Sequence, residues 1–378
     1  MEITVRTTDL LKELLLIQGV VERKTTIPIL SQLLVEAGGD GQIHLAATDL
    51  ELAISTNCPA KIKKSGSGAV PARKLLDYVR LLPDADLSIK LLENHYVQLR
   101  CGRASTRMVG MSRENFPELA AFPSTPPARI PGAVLARMIR KTIFAIASEE
   151  ARYTLNGAQM VLKPESIALV ATDGHRLAHV ADDHTAIEGV PAEIRCLVPR
   201  KAMVELQKLI DELPEGGTVE FGQDETNLFF SLPLAGGGRR VLAARQLTGQ
   251  FPNYEAVLPK DNARVCVLPS EPLTQALRRV AQFADERSHA VKLRLEKDHL
   301  TLTSSSSEAG EADEELDTPY QGEPMVIGFN SQYLLDFLAV AGSEEVRLEL
   351  KDEQSAGQFR PQGGDGDQYR YIVMPMRI

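Results

Sequence analysis

Two hydrophobic patterns alternate along this chain of 378 residues, and each predicts a different element. Apolar and polar residues alternate with a period of two at 291–296 (VKLRLE) and 346–350 (VRLEL), the pattern of half-buried β-strands. Apolar residues fall on one helical face at 10–17, 134–144 and 273–280. Glycine clusters at 236–238 and 363–364 are typical of hairpin turns. The pattern therefore predicts an α+β fold in which helices pack on antiparallel sheets.

A strand that leads straight into a helix occurs three times at a constant interval of 128 residues. The copies begin at Val70 (VPARK), Val198 (VPRK) and Val326 (VIGFN), and an apolar helical run follows each. Ala-Thr-Asp at 47–49 and 171–173 is a second repeated sequence. Units of this length can bury their own cores, so the repeat predicts three domains, at 1–126, 127–261 and 262–378, with two helices each. Because the copies share no catalytic group, they indicate a shape rather than a reaction.

Polar residues before two of the helical runs predict where those helices begin. Thr8 and Asp9 precede the run at 10–17, and 270–272 (SEP) precede the run at 273–280. Ser, Asp and Pro are favourable at the cap and first turn of a helix. The acidic segment 304–317 (SSSSEAGEADEELD) is expected to be an exposed strand edge or loop.

The composition is that of an ordinary globular protein, with 43% hydrophobic and 25% charged residues. No apolar stretch has the length of a membrane span, and 1–4 (MEIT) begins an amphipathic strand rather than a signal peptide. The four cysteines are scattered, without CxxC spacing, and predict isolated thiols in a reducing compartment. We therefore expect a cytoplasmic protein that binds no metal ion.

The net charge of −9 by itself argues against a nucleic-acid partner. The charge is uneven, however, because basic residues such as Arg73, Lys74, Arg140 and Arg278 outnumber acidic ones in the predicted helices. Three domains in an arc would present paired basic helices on a concave face that attracts phosphate, with acidic sheets outside. These helices lack clusters of base-reading side chains, so any contact with DNA would be independent of its sequence.

One segment carries residues of the acid–base type at close spacing. Asp173 and His175 lie two residues apart and would suit general acid–base catalysis. The first repeat has Asp49 but no histidine, so we interpret the shared aspartate as a residue that caps a turn. The segment 236–240 (GGGRR) lacks the Lys-Ser/Thr of a phosphate loop and is interpreted as a hairpin tip. The sequence therefore predicts no catalytic residues and no cofactor.

These motifs, in this order, resemble those of the bacterial β sliding clamp family, the processivity subunits of replicative DNA polymerases. The resemblance runs along the whole chain and is carried by VPARK (70–74), RYTLNG (152–157), ATDGHRL (171–177), VPRK (198–201), FPNY (251–254), GFN (328–330) and MPMR (374–377). It implies a non-enzymatic clamp in which two three-domain subunits join head to tail as a ring around duplex DNA. Each subunit would form half of the ring, and twelve helices would line the hole.

The resemblance also implies the partners and the contacts between subunits. The partners would be duplex DNA of any sequence, the replicative DNA polymerase, the clamp loader and other proteins with clamp-binding motifs, with no membrane. In the homodimer, Thr106 and Met108 of domain one would lie near Gln282 and Phe283 of domain three.

Two further sets of site residues are implied. A groove between domains two and three, where partners dock short motifs, would be formed by Leu155, Thr172, Gly174, His175, Arg176, Leu177, Pro252, Val257, Asn330, Tyr333, Val373, Met374, Pro375, Met376, Arg377 and Ile378. The candidates for DNA contact are Lys24, Arg73, Lys74, Glu149, Tyr153, Thr154, Arg200 and Lys201. The two groove methionines supply deformable apolar surface, which suits several partners in one site.

The chain departs from the family at both sites. Ala256 stands where a relative has Arg, and Ser288 stands where a relative has Phe, so the motif preference of the groove is expected to shift. At the DNA side Lys24 replaces an Arg, Thr154 stands where relatives can have Tyr, and Glu149 is a poor neighbour for phosphate.

Two alternatives from other classes of protein stay open. One is a DNA-processing enzyme, such as a nuclease, that uses Asp173 and His175. The other is a monomeric peptide-binding scaffold without a role on DNA.

Overall fold

Each α-helix that the structure describes begins at the residue after a strand ends. The computed structural model describes residues 1–22, 25–39, 41–148, 153–234, 237–363 and 367–377. The helices are α1 (Thr7–Ile17), α2 (Ala72–Val79), α3 (Gly132–Thr142), α4 (Arg200–Ile210), α5 (Ser270–Val280) and α6 (Ser331–Leu338). The strands that lead into them are β1 (Glu2–Arg6), β5 (Gly66–Pro71), β9 (Ala128–Pro131), β13 (Ile194–Pro199), β17 (Arg264–Pro269) and β21 (Met325–Asn330). The repeated strand-to-helix sequence is thus confirmed, with two helices in each predicted domain.

The helix starts differ from the predicted ones in how they are capped. The N-cap residue of α1 is Arg6 and that of α5 is Pro269, and neither side chain accepts a capping hydrogen bond. Thr8, Asp9 and Ser270 lie inside the first turns, so the prediction that they belong there is confirmed and the prediction that they cap is wrong. The reason is that the strand runs directly into the helix, and the last strand residue takes the cap position.

The chain folds into two compact units, and the first comprises Met1–Ala136 with Lys201–Gln246. Its further strands are β2 (Gln32–Ala37), β3 (Gln42–Thr48), β4 (Leu52–Lys64), β6 (Asp86–Leu91), β7 (Tyr96–Cys101), β8 (Ala104–Val109), β14 (Thr218–Gln223), β15 (Asn227–Pro233) and β16 (Arg239–Arg245). They form one sheet in the order β8-β7-β6-β1-β4-β16-β15-β14-β9, and β3, β2 and β5 branch from β4. Because β4 of domain one pairs with β16 of domain two, the sheet runs without a break across this joint.

A buried ion pair also crosses the joint in the first unit. Arg240 on β16 donates to Glu13 on α1 through Nη2 (2.6 Å to Oε1) and Nε (3.0 Å to Oε2). Thr56 on β4 donates to the same carboxylate at 2.7 Å. The Arg240 and Glu13 side chains are only 5% and 8% exposed, so both charges depend on each other for compensation.

The second unit comprises Arg137–Arg200 with Leu247–Ile378. Its further strands are β10 (Gly157–Lys163), β11 (Ser166–Thr172), β12 (Arg176–Asp182), β18 (Ala290–Glu296), β19 (His299–Ser306), β20 (Gly310–Asp317), β22 (Glu345–Leu350), β23 (Gly357–Gln362) and β24 (Gln368–Val373). One sheet has the order β13-β10-β11-β12-β24-β23-β22-β17 and the other β20-β19-β18-β21. The pair β12–β24 carries the first of these sheets from domain two into domain three, as β4–β16 does in the first unit.

Every described strand pairing within these sheets is antiparallel, as the sequence predicts. The acidic segment forms the end of β19 and the edge strand β20, which confirms the expected exposed edge. The glycine cluster at 236–238 lies between the paired strands β15 and β16, in a hairpin whose residues 235–236 lie outside the described part. Domain two is divided between the two units, because its strands join the sheets of domains one and three. The boundaries of the three domains stay a prediction.

Candidate functional site

The turn between β11 and β12 is held by the side chains of Thr172 and Asp173. Asp173 Oδ1 accepts hydrogen bonds from the backbone N–H groups of His175 (2.9 Å) and Arg176 (3.0 Å). Thr172 Oγ1 donates to the carbonyl of Arg176 at 2.6 Å and accepts from the N–H of Gly174 at 3.1 Å. Gly174 has a φ of 91°, which a residue without Cβ adopts at no steric cost. The aspartate caps a turn, as predicted from its recurrence.

The first repeat contains the same turn between β3 and β4. Asp49 Oδ1 accepts from the N–H groups of Glu51 (3.0 Å) and Leu52 (2.6 Å). Leu50 takes the position of Gly174 with a φ of 78° and an exposed side chain. The second carboxylate oxygen of Asp49 accepts from Lys201 at the start of α4. The turn therefore has a second use in this repeat, as an ionic link to the next domain.

Arg176 lies at the centre of a polar cluster beside the second turn. Its Nε donates to Asp173 Oδ2 at 3.0 Å, its Nη1 to Asp336 Oδ2 on α6 at 2.5 Å, and its Nη2 to the carbonyl of Phe144 at 2.6 Å. The guanidinium carbon lies 4.2 Å from the ring centroid of Tyr333 and 5.4 Å from that of Phe144, both within cation–π range. Only 10% of the side chain is exposed, so the cluster holds the guanidinium inside the protein.

The C-terminal segment extends the pairing of β24 past its end. The N–H of Met374 donates to the carbonyl of His175 at 2.9 Å, and the N–H of Met376 donates to that of Gly328 at 2.8 Å. The first of these carbonyls belongs to domain two and the second to domain three. The Met374 side chain is 46% exposed, so apolar surface stands open where the two domains meet.

Asn330, a predicted groove residue, caps helix α6 with its side-chain amide. Its Oδ1 accepts from the N–H groups of Gln332 (2.9 Å) and Tyr333 (3.3 Å), which makes it a side-chain cap. Its Nδ2 donates to the carbonyl of Ser288 at 3.3 Å. The hydroxyl of Tyr371 donates to the carbonyl of Tyr333 at 3.0 Å, and this hydrogen bond ties the first turn of α6 to β24.

A buried apolar cluster lies beneath this surface and includes the predicted groove residues Leu155 and Leu177. Its other members come from both domains and are Ala147, Val170, Leu197, Phe251, Tyr254 and Ile372. Leu258 packs against it from the segment that links domains two and three. The exposed Val257, whose N–H donates to the carbonyl of Tyr254 at 3.0 Å, is held on the same segment.

The structure thus brings most predicted groove residues to one joint of the second unit, at different depths. Leu155, Thr172, Leu177 and Val373 are buried; Arg176, Asn330, Tyr333, Pro375 and Met376 are half-buried; Gly174, His175, Pro252, Val257, Met374 and Arg377 are exposed. Ile378 lies outside the described residues. Their role as a peptide groove stays a prediction.

The predicted DNA contacts fall on the starts of α2 and α4 and on a 3₁₀ turn, Tyr153–Leu155. Arg73, Lys74 and Arg200 are exposed, and Tyr153 is 51% exposed. Lys201 is exposed but pairs with Asp49. Thr154 is half-buried; Lys24 and Glu149 lie outside the described residues. The helices α1 and α2 pack side by side in the first unit, and α5 and α6 do so in the second.

The predicted interface residues lie on the two strand edges or close to them. Thr106 and Met108 belong to the edge strand β8 of the first unit. Gln282 and Phe283 lie in the 3₁₀ turn Ala281–Phe283 that follows α5 in the second unit. Phe283 is 36% exposed.

Within the described ranges, no group of three or more His, Cys, Asp or Glu side chains is arranged to hold a metal ion. Over the same part of the chain, no helix combines the length and apolar character needed to cross a membrane.

His179 on β12 is half-buried beside Tyr254 of the linking segment and has an altered pKa. Its ring centroid lies 5.6 Å from that of Tyr254, and its Nδ1 has no hydrogen-bond partner among the described residues. Burial, with the positive charge of Arg370, lowers the pKa of His179 to about 4, against an opposing effect of Asp183. The neutral imidazole is therefore the form that fits this site.

We expect His179 to lower the free energy of unfolding as the pH falls from about 6.5 to about 4. In this window the unfolded histidine, with an ordinary pKa near 6.5, binds more protons than the folded one, so stability rises with pH and levels off above it. At pH 4.5 the free energy of unfolding is expected to be about 2 to 3 kcal/mol lower than at a pH above this window. Urea unfolding at several pH values should show a steeper loss for the parent than for His179→Gln; parallel curves for the two proteins would refute the assignment.

Several residues of the site carry no signal in the sequence. Asp336 and Phe144 are ordinary members of helical runs, and only the fold brings them to Arg176, at separations of 160 and 32 residues. The link between Asp49 and Lys201 spans 152 residues. The repeated Ala-Thr-Asp sequence was the one available indication, and it pointed to the turn but not to the partner of its second oxygen.

Comparisons with known proteins agree along the whole chain. Family models match in three consecutive parts: DNA polymerase III beta subunit, N-terminal domain, over 1–120, central domain over 129–253, and C-terminal domain over 255–377. The beta sliding clamp of Pseudomonas putida is 34% identical over 384 residues, which cover 100% of both chains.

Two solved structures are similar over 100% of both chains. A sliding clamp from Pseudomonas aeruginosa, bound to griselimycin, has a TM-score of 0.92 at 33% identity. The beta sliding clamp of Caulobacter crescentus, with a polyethylene glycol at a region described as tethering the β-motif, has a TM-score of 0.91 at 34% identity.

Proposed function

Because the chain belongs to the β sliding clamp family of bacterial DNA polymerase III, we propose that it encircles duplex DNA as a head-to-tail homodimeric ring and tethers polymerases to it. The observation that carries this proposal is the match of all three domains, in order and over the full length, to a family of clamps. The chain has three clamp domains of α+β fold, with antiparallel sheets and two helices in each. Its partners would be duplex DNA, the replicative polymerase, the clamp loader and other proteins with clamp-binding motifs.

The two strand edges have the charges that a head-to-tail contact between copies needs. β8 exposes Arg107, and Arg103 lies just before it. β20 exposes Glu311, Asp313, Glu315 and Asp317 along its length. An open edge strand invites pairing with another strand, and opposite charges select this pairing over that of two like edges. Pairing of β8 with β20 of a second copy, at both ends, would close a ring.

Contact with DNA would go through its phosphates rather than its bases. Arg73, Lys74 and Arg200 are exposed at helix starts and present point charges without base-reading partners. Such contacts are weak singly and depend on salt, so a closed ring can slide while it stays linked to the duplex.

The geometry favours this function over the enzymatic alternative. The carboxylate of Asp173 accepts three hydrogen bonds, from two backbone N–H groups and from Arg176 Nε. A carboxylate held in this way is a structural group, because each bond would have to break before it served as a base. We therefore propose a processivity factor without a catalytic site of its own, which acts where replication takes place inside the cell.

The groove at the second joint is the proposed dock for partner motifs. Exposed Met374 and Val257 supply apolar surface, and the buried apolar cluster that includes Leu155 and Leu177 lies beneath them. Griselimycin and polyethylene glycol on two relatives support the proposal that clamps of this family hold ligands. In this chain Ala256 is exposed at the end of the 3₁₀ turn Tyr254–Ala256, so the groove rim there is short and uncharged.

Retention on circular DNA tests the proposed ring directly. The protein is loaded with a bacterial clamp loader and ATP onto a nicked circular plasmid, and the complex is separated from free protein by gel filtration. We expect the protein to stay with the circle and to leave within minutes after a restriction enzyme linearises it, because only topology holds it.

The control is a linear plasmid whose ends are blocked by tightly bound protein, which should retain the clamp. Equal retention on open linear DNA would contradict a sliding ring and indicate ordinary binding.

Two further measurements test the alternative functions. Sedimentation tests the monomeric scaffold, since a subunit-sized species at micromolar concentration would argue against the homodimer. DNA cleavage by the parent protein that is lost in His175→Ala would support the enzymatic alternative.

A further inference from the structure

We propose that Arg176 is a positioning residue of the peptide groove, which locks the Thr172–Asp173 turn of domain two to helix α6 of domain three and does not itself meet the peptide. The inference rests on the proposed function, since it concerns how the groove is kept ready for its partner. It assigns to Arg176 a role different from that of the exposed groove residues around it.

The first argument is that every nitrogen atom of the guanidinium is already engaged within the protein. Its three nitrogen atoms each donate to a protein acceptor: Nε to Asp173, Nη1 to Asp336 and Nη2 to the carbonyl of Phe144. The rings of Phe144 and Tyr333 also lie against it. With 10% of the side chain exposed, little of the charge is open to a peptide while these bonds are intact.

The second argument is that the bonds of Arg176 span the joint. Asp173 and Phe144 lie in the part that matches the family's central domain, and Asp336 and Tyr333 lie in the part that matches its C-terminal domain. The predicted groove takes residues from both parts. A lock between them therefore fixes the distance between the two walls, and a bidentate or forked Arg is the side chain suited to such a bridge.

The far end of the lock is itself anchored. The carbonyl of Tyr333 accepts from the Tyr371 hydroxyl at 3.0 Å, and the Tyr371 ring stacks on Phe337, with centroids 5.2 Å apart and planes at 7°. Asp336 Oδ1 accepts from Gln332 Nε2 at 2.7 Å, which orients the carboxylate toward Arg176. The groups at both ends of the lock are thus held by further contacts of their own.

The third argument comes from the other joint of the same chain. There the turn aspartate Asp49 also uses its second oxygen for an ionic link to the next domain, directly to Lys201 on α4. The position that corresponds to Arg176 is Leu52, which follows the turn in the first repeat. Although the residues differ, both repeats keep a link from the turn to the second helix of the following domain, α4 in one case and α6 in the other. This recurrence indicates a role in the joint rather than in recognition.

A buried ionic link adds little net stability, because desolvation offsets much of the attraction. Its effect is expected in the population of the binding-competent groove. When a fraction of molecules loses this conformation, the apparent association rate falls in proportion, whereas the dissociation rate of the bound state is unchanged. A residue that contacts the peptide behaves in the opposite way, since its loss accelerates dissociation.

The test uses the full-length protein, stopped-flow fluorescence and a labelled synthetic peptide that carries the clamp-binding segment of a bacterial replicative polymerase. For Asp336→Asn we expect the association rate constant to fall about tenfold, with the dissociation rate constant within about twofold of the parent. Arg176→Lys, which keeps the charge and loses the fork, should show the same pattern. The matched control Asp77→Asn, the same change at a carboxylate of α2 that is 60% exposed and lies outside the groove, should leave both constants unchanged.

Two results would overturn the inference. One is faster dissociation at an unchanged association rate in both variants, which would make Arg176 a peptide contact. The other is parent-like kinetics in both, which would show that the lock does not hold the groove. If the parent itself fails to bind the peptide, the proposed function is what fails, and the two failures are therefore distinct.

Discussion

A chain that ends at Val373 is expected to lose peptide binding by at least about 100-fold while it still assembles as a dimer. The five residues removed carry the backbone N–H groups of Met374 and Met376, which donate to the carbonyls of His175 and Gly328. They also carry the exposed Met374 side chain. Binding energy concentrates on a few well-packed contacts, and methionine adapts its shape to make such contacts with an apolar partner.

Dimerisation should survive because neither strand edge is touched. β8 and β20 end far from residue 374 in the sequence and keep their pairing partners β7 and β19. Fluorescence anisotropy with the labelled polymerase peptide measures binding, and sedimentation velocity measures assembly. Unchanged peptide affinity after the truncation would rule out the groove assignment.

A double variant, Met374→Ala with Met376→Ala, separates side chains from backbone. It keeps both backbone hydrogen bonds, so the fold of the C-terminal segment should be retained even where the truncation loosens it. We expect its affinity to fall by about 10-fold to 100-fold, since each truncated methionine removes apolar contact area. Parent-like affinity of this variant would place the binding energy elsewhere in the joint.

The elements of the fold that local patterns determine were predictable. The interval of 128 residues identified three strand-to-helix units, and all six helices that the structure describes begin where a strand ends. The repeated aspartate was correctly interpreted as a turn cap because both copies use Oδ1 for two backbone N–H groups. Each of these features depends on residues within a few positions of each other.

Features that depend on distant partners were not predictable. The predicted caps of α1 and α5 are wrong because the preceding strand fixes where each helix begins. No side chain caps either helix. The partition of domain two between two units follows from the pairings β4–β16 and β12–β24, which alternation of apolar and polar residues does not encode. The alternation of apolar and polar residues in a strand predicts which face is buried, but it does not predict which strand pairs with it.

The candidate site shows the same limit. Its members could be named from the family resemblance, but not their depth or use: Asn330 caps α6 with its amide, and Arg176 is enclosed by its partners. The sequence shows which residues are charged, but only the fold determines which partner neutralises each charge. Lys201 illustrates this, since it is among the predicted DNA contacts and is paired with Asp49 in the structure.

The same dependence on a distant partner gives the largest expected effect on stability. Arg240→Ala should lower the free energy of unfolding by about 3 to 5 kcal/mol, because it leaves the carboxylate of Glu13 buried with Thr56 as its remaining neutral partner. Urea unfolding followed by circular dichroism measures the loss. Lys12→Ala is the matched control on the adjacent position of α1: it breaks an ion pair with Glu212 whose side chains are 53% and 38% exposed, and should cost less than about 1 kcal/mol.

The double variant Glu13→Met with Arg240→Met decides between a stabilising pair and a mutual dependence of two buried charges. If the attraction itself supplied the stability, the double variant would lose as much as Arg240→Ala. We expect it instead to recover most of the loss, since two apolar side chains of similar length fill the site without an uncompensated charge. The pair crosses from α1 to β16, so its role would then be to fix how domain one joins domain two, as the Asp49–Lys201 link does at the surface of the same joint.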